Sequence, residues 1–198
     1  KLDGSLFSES SSYAPNSPYS ASKASSDLLV RAWNKTFGIK TVITNCSNNY
    51  GPWQNPEKLI PKTIFNALNE NPIPIYGKGI NIRDWLHVTD HVNALIKVSD
   101  SSQSYRKYNI GGNQEMTNID LVNIICSHLD KKIPISKPYS SLISYVDDRL
   151  GHDLRYAIDA SKISNEHNFE PKYLLKEGII ETVDWYIDNL NWVKSKVT

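Results

Sequence analysis

The chain has 198 residues, a formal net charge of +1, 22% charged and 39% hydrophobic residues. That is an ordinary globular composition with material for one good core or slightly more. The near-neutral charge argues against bulk attraction to nucleic acid or an anionic membrane, so any phosphate-binding cations must be few and placed.

The first stretch, Lys1 to Asn16, is rich in Ser and reads as an extended loop. A helix then opens at Ser17, a plausible N-cap, with Pro18 where its missing N–H costs nothing. Ala21, Ala24, Leu28, Ala32 and Trp33 follow at helical spacing, and Gly38 supplies the stop. Thr41 to Cys46 is short and β-branched, a buried strand, and runs into a polar turn at Ser47–Pro52. A helix is expected from about Pro61 to Asn69, and an extended piece at Ile73–Tyr76 is closed by Gly77-Lys78-Gly79. Asp84–Val88 reads as a strand, and Thr89 as the cap of a helix through His91, Ala94 and Ile96. Tyr108–Ile110 is a strand ended by Gly111-Gly112. Thr117 with Asp120 resembles a capping box opening a helix through Leu121, Ile125 and Leu129. A final amphipathic helix presents Leu175, Ile179, Val183, Tyr186 and Leu190. Alternating helices and strands make this an α/β chain.

The nine glycines contain no dinucleotide fingerprint. Gly77 and Gly79 have the spacing of the first two, but no third follows and no helix opens there, so a hairpin turn is expected. Cys46 and Cys126 lie far apart and read as buried free thiols, with no ligand set for a metal. No apolar run reaches the ~18 residues of a membrane helix and no secretory leader is seen; a cytoplasmic protein is the default expectation. Trp33, Trp85 and Trp185 fall on apolar faces and are expected in the core, Trp53 at the surface.

Tyr19 and Lys23 stand four apart on the first helix, so both project from one face. A free phenol, with a pKa of about 10, is a poor base at neutral pH, and a neighbouring ammonium lowers that value. Spacing by itself does not separate such a pair from two solvated surface residues. Asn48 and Asn49 follow a strand at its carboxyl end, where open α/β sheets bind ligands, but Asn is also a turn former. Lys58, Arg83 and Arg149 come from three segments; convergent cations suit a diphosphate, while singly each reads as a surface charge.

The string Ser17-Pro18-Tyr19-Ser20-Ala21-Ser22-Lys23 resembles the YxxxK helix of extended short-chain dehydrogenase/reductases. Thr44–Pro52, Glu57–Pro61, Arg83–Leu86, Tyr108–Gly112, Asp148–Asp153 and Tyr156–Asp159 resemble, in order, the nucleoside-diphosphate-glucose 4,6-dehydratase branch, and most closely the dTDP-glucose 4,6-dehydratases. The resemblance implies that Tyr19 is the catalytic acid/base and that Lys23 tunes it and holds the nicotinamide ribose. It implies NAD as cofactor, with Asn49 near it, and a nucleotide-sugar substrate on Asn48. It assigns Lys58, Arg83, Asn118, Asp148, Arg149, Leu150, Gly151 and His152 to the substrate side, the diphosphate lying among Lys58, Arg83, Arg149 and His152. Leu59 and Pro74-Ile75-Tyr76 would frame the nucleoside. Leu150 stands where that family usually has Pro.

In that family NAD takes a hydride from C4 of glucose, water is lost across C5 and C6 through a Glu and an Asp, and the hydride returns to C6. The Thr-Asp-Glu segment carrying those carboxylates does not occur here; the first loop offers only Asp3 and Glu9. The expectation is therefore a C-terminal portion: residues 1–52 a truncated Rossmann-type remnant with the YxxxK helix and late strands, residues 53–198 mainly the smaller substrate-binding α/β domain, with about 80–100 returning to the Rossmann part. Most of the NAD site would lie elsewhere, and activity of these residues alone is not expected. A non-catalytic nucleotide-sugar-binding remnant and a related epimerase or decarboxylase remain as alternatives. The resemblance also implies a homodimer, with no nucleic-acid or membrane partner. An exposed edge of the Thr41–Cys46 strand and an exposed face of the Tyr19 helix are expected to make the isolated chain poorly soluble or dependent on a partner surface.

Overall fold

The computed structural model describes residues 5–99, 105–148, 151 and 153–197. Helix α1 (Pro18–Phe37) begins and ends as its sequence demands: Ser17 Oγ accepts the Ser20 N–H at 3.1 Å, and Gly38 adopts φ 68 with its N–H on the Asn34 carbonyl. Its covered face combines small apolar residues, Ala21 and Ala24 as the spacing suggested, with polar Asp27 and Asn34, which sequence periodicity did not anticipate. Asn34 is buried and Ala21, Ala24, Asp27 and Val30 are half-buried. Asp27 accepts the Tyr13 hydroxyl at 2.6 Å and Asn45 Nδ2 at 3.2 Å, and Asn34 Nδ2 donates to the Ile39 carbonyl at 2.7 Å. The expected core role of Trp33 is therefore corrected: it is 54% exposed and lies against Phe37, ring centroids 4.7 Å apart. Leu28, Leu29 and Phe37 are exposed with it.

Strand β1 (Val42–Cys46) is parallel to β5 (Arg106–Ile110), and among the described residues this pair has no third strand, so β1 keeps one open edge as expected. The polar turn expected after Cys46 is instead strand β2 (Asn48–Tyr50), parallel to β4 (Ile82–His87). Strand β4 also pairs antiparallel with β6 (Glu115–Thr117) and parallel with β8 (Arg155–Tyr156). Strand β3 (Ile73–Tyr76) pairs with β7 (Ile143–Val146). Because β3 does not pair with β4, Gly77-Lys78-Gly79 closes no hairpin; it is a tight turn with Gly77 and Gly79 at φ 55 and 70.

The helices are α2 (Leu59–Leu68), α3 (Val88–Ser99), α4 (Asn118–Lys132), α5 (Ser161–His167), α6 (Leu175–Asp188) and α7 (Leu190–Val197). Thr117 caps α4 through the Asp120 N–H at 3.1 Å. The single final helix expected from apolar spacing is two helices, because the Asn189 side chain and its N–H both take the Trp185 carbonyl, at 2.8 and 3.0 Å.

Two clusters of buried side chains flank β4. Trp85 packs with Tyr50, Ile60, Ile75, Leu121, Ile125, Ile179 and Tyr186. Its neighbour Leu86 packs with Ala94, Tyr108, Ile110, Ile163 and Phe169 on the other side. The two-residue period of a strand thus divides the core, and each buried aliphatic side chain contributes about 1.5–3 kcal/mol. Trp85 is buried and Trp185 partly buried, as expected, and Trp53 is 62% exposed. Cys126 is buried, its thiol pushed up to about 12 by burial; Cys46 is half-buried.

His87 is buried and stacked on Tyr173 at 3.8 Å. Burial holds both His87 and His91 below the ordinary imidazole value, partly opposed at His87 by Asp90 and Glu181. A depressed histidine contributes stability above its unfolded pKa and loses it as pH falls through the folded value. Unfolding free energy should therefore drop as pH is lowered below about 6.5, by at most about 1.4 kcal/mol per pH unit per histidine. Urea midpoints at pH 7.5, 6.0 and 5.0 test this, and His87→Gln should flatten the slope; a pH-independent midpoint over that range would refute it.

Candidate functional site

The register of β2 on β4 sorts two neighbouring asparagines onto opposite faces. Asn48 lies beside Trp85 and Asn49 beside Leu86. Arg83, two residues before Trp85 on the same strand, shares the Asn48 face and lies beside Tyr156 of β8.

On the Asn49 face, Nδ2 of Asn49 donates to Cys46 Sγ at 3.2 Å and to the Ser47 carbonyl at 3.1 Å. Its Oδ1 is buried without a hydrogen-bond partner among the described residues. Burial raises the Cys46 thiol, while the Asn49 hydrogen bond and the Lys23 ammonium pull it down, which puts Lys23 in electrostatic reach of this corner. Tyr19 is 75% exposed. Neither the Tyr19 hydroxyl nor the Lys23 ammonium makes a hydrogen bond among the described residues, so both remain available to a ligand.

On the Arg83 face, the guanidinium is half-buried and donates to the Ile82 carbonyl at 2.7 Å and the Asp153 carbonyl at 2.8 Å. Burial lowers its pKa, and the Asp153 and Asp148 carboxylates oppose that shift. Strands β3 and β7 end beside this position: the Gly77 N–H donates to the Val146 carbonyl, and a Cβ on Gly77 would stand 3.2 Å from Asp148 Oδ2. Helix α4 begins here too, with the Asn118 N–H on the Asn81 carbonyl at 3.0 Å and Asn81 Nδ2 on the Asp153 carbonyl at 3.3 Å. Arg83, Asn118 and Asp148 are thereby gathered at one edge.

The remaining expected residues are distributed less evenly. Lys58 is exposed at the start of α2, and Leu59 is half-buried against the core. Strand β3 alternates, so Pro74 and Tyr76 are half-buried while Ile75 is 1% exposed. An Ile75 side chain packed in the core can frame a ligand only through its backbone, because successive side chains of a strand face opposite ways. Gly151 is exposed at φ 71; Arg149, Leu150 and His152 lie outside the described residues. Two contributors escaped sequence reasoning. Tyr156 was noted only within a string, and its half-buried side chain lies beside Arg83 and within electrostatic reach of Cys46. Asn81 had no periodic signal at all, since its work is to join a turn, a helix start and a distant loop.

No group of three or more His, Cys, Asp or Glu side chains is placed to hold a metal ion among the described residues, and no described helix is long and apolar enough to cross a membrane.

The family model described as GDP-mannose 4,6 dehydratase matches residues 1–182. A dTDP-glucose 4,6-dehydratase of Shigella flexneri is 56% identical over 190 residues, which is 96% of this chain and 53% of that protein. Among solved structures, a dTDP-glucose 4,6-dehydratase of Bacillus anthracis in complex with NAD superposes with TM-score 0.87 at 47% identity, covering 97% of this chain and 59% of that one. A dTDP-glucose 4,6-dehydratase of Streptomyces venezuelae, also with NAD bound, gives TM-score 0.91 at 41% identity, covering 98% and 58%. The chain spans about half the length of the curated relatives it matches.

Proposed function

The chain belongs to the GDP-mannose 4,6 dehydratase family, and from that premise we propose that it is the substrate-binding, YxxxK-bearing part of a dTDP-glucose 4,6-dehydratase. The reaction is conversion of dTDP-glucose to its 4-keto-6-deoxy product, a step of deoxysugar synthesis. The observation that carries this reading is the register of β2 on β4, which turns Asn48 toward Arg83 and Asn49 toward the Lys23 corner. One strand thereby separates a sugar-diphosphate face from a cofactor face.

On the first face Arg83 retains N–H donors beyond the two it uses, and Asn118 stands at the start of α4 beside it, a suitable cradle for a diphosphate. The family resemblance assigns Lys58, Asp148, Gly151 and the Arg149–His152 segment to the same substrate side. On the second face the fit to a nicotinamide is supported by the partnerless Asn49 Oδ1, an acceptor in need of a donor, and by the small Ser20, Ala21 and Ser22 between Tyr19 and Lys23. NAD, when bound, supplies the acceptor and later donor of a hydride. Tyr19 takes the proton of the sugar 4-hydroxyl, and the Lys23 charge lowers the cost of the phenolate. The carboxylates of the elimination step are not supplied by the described residues in the expected pattern, so the isolated chain binds and does not turn over.

Calorimetric titration of the chain with dTDP-glucose tests this. Saturable binding is expected, and Arg83→Ala should weaken it by about 10- to 100-fold, the worth of a charged hydrogen-bonding partner. A chain that ignores dTDP-glucose would remove the substrate assignment. We also infer a homodimer through α1, supported by Leu29, Trp33 and Phe37 exposed every four residues along it. Light scattering should report a mass that falls toward the monomer in Trp33→Glu.

A further inference from the structure

Between β2 and α2 a single loop, residues 51–58, has Asn48 and Asn49 at its entry and Lys58 and Leu59 at its exit. It is held from behind by the C-terminal helices. The buried Tyr186 of α6 donates its hydroxyl to the Gln54 carbonyl at 2.8 Å. Gln54 in turn donates from Nε2 to the Asn49 carbonyl at 2.8 Å. Next to it, Trp53 stands edge-on to Trp185 and Trp192, with ring centroids 4.8 and 5.0 Å away.

Trp53 reaches that position in the left-handed conformation, φ 64. A bulky side chain adopts this region only when its surroundings over-determine it. Burial does not explain the choice, since Trp53 remains 62% exposed. Glycine or asparagine would occupy the same turn with less strain. What the aromatic contacts secure is the position of the next residue, Gln54, and through it the carbonyl of Asn49.

We propose that Gln54 is a positioning residue of the nucleotide-sugar site, and that Trp53 and Tyr186 clamp it so that helices α6 and α7 set the aim of Asn48 and Asn49. This rests on the substrate reading above and adds a division of labour to it. The exit of the loop has an anchor of its own besides the clamp, because α2 is pinned by the buried Ile60 and Ile64. The clamp therefore governs the sugar end of the ligand, at Asn48, and leaves the nucleotide end alone.

The experiment compares dTDP with dTDP-glucose on the intact chain. Tyr186→Phe keeps the buried ring and removes only the hydroxyl; Gln54→Ala and Gln54→Glu both remove the amide donor. Each should weaken dTDP-glucose by about 5- to 10-fold, because the released loop must then be ordered on binding, with dTDP affinity and the near-ultraviolet tryptophan spectrum unchanged. Equal weakening of both ligands, or no weakening of either, overturns the proposal. Hydrogen exchange over residues 48–54 reads the clamp without any ligand. Exchange should be faster in Tyr186→Phe than in wild type, and unchanged exchange overturns the clamp. A wild-type chain that binds neither ligand rejects the substrate reading instead, and the exchange result then stands on its own.

Discussion

Gly112→Ala is expected to be the most damaging glycine-to-alanine change among the described residues, lowering the unfolding free energy by about 3 kcal/mol or more. A Cβ there would overlap the Trp85 carbonyl oxygen and sit 2.9 Å from its carbon. Those are backbone atoms of β4, the strand that separates the two halves of the core, so no side-chain rotation relieves the clash. Moving Gly112 away has its own cost. Its N–H donates to Asp84 Oδ2 at 3.0 Å, and the Gln114 N–H to Asp84 Oδ1 at 2.7 Å. Asp84 is only 2% exposed and burial raises its pKa, so each lost N–H leaves a buried carboxylate less well satisfied. Gly38→Ala is the contrast. It also places a Cβ on a glycine, at φ 68, but in open space, and should cost only about 1–2 kcal/mol of backbone strain. Urea unfolding of the two variants measures the difference; comparable small losses would mean that β4 yields where the packing says it cannot.

Tyr19→Phe should produce the largest effect on chemistry. The test protein is this chain fused behind the N-terminal half of the Shigella flexneri relative, assayed for 4-keto product. Removing the hydroxyl should lower kcat by about 10²- to 10⁴-fold, the range for loss of a general acid/base. Stability should be untouched, because the hydroxyl makes no hydrogen bond among the described residues and the ring is 75% exposed. Affinity for dTDP-glucose should be retained as well, since Arg83 and Asn48 are unchanged. A fusion that turns over equally well with Phe at position 19 would dismiss the pair as the acid/base.

Local chemistry was easiest to see in the sequence. Ser17-Pro18, Gly38 and Thr117 act through their own backbone neighbours, and each helix end they mark appears where expected. Strands that need a distant partner were harder. Asn48–Tyr50 looked like a turn because Asn favours one; it is a strand because β4, more than thirty positions later, supplies the hydrogen bonds. β6, β7 and β8 have two to four residues each, too short for a period to show. Trp33 was misplaced for a related reason: helical spacing says which residues share a face, not which face is covered, and here the polar Asp27 and Asn34 face inward. At the site, the motifs named Arg83, Asn118 and Asp148 singly. Their meeting at one edge depends on Asn81 and on the ends of β3 and β7, and nothing local in the sequence announces that.

The alternation of Asn48 and Asn49 also constrains how this chain can drift. A single-residue deletion or insertion between Cys46 and Asn48 would exchange the two asparagines, sending each toward the wrong ligand while leaving composition almost untouched. A change of two residues would restore the pattern. Length variation among related chains should therefore be absent or even-numbered at this junction.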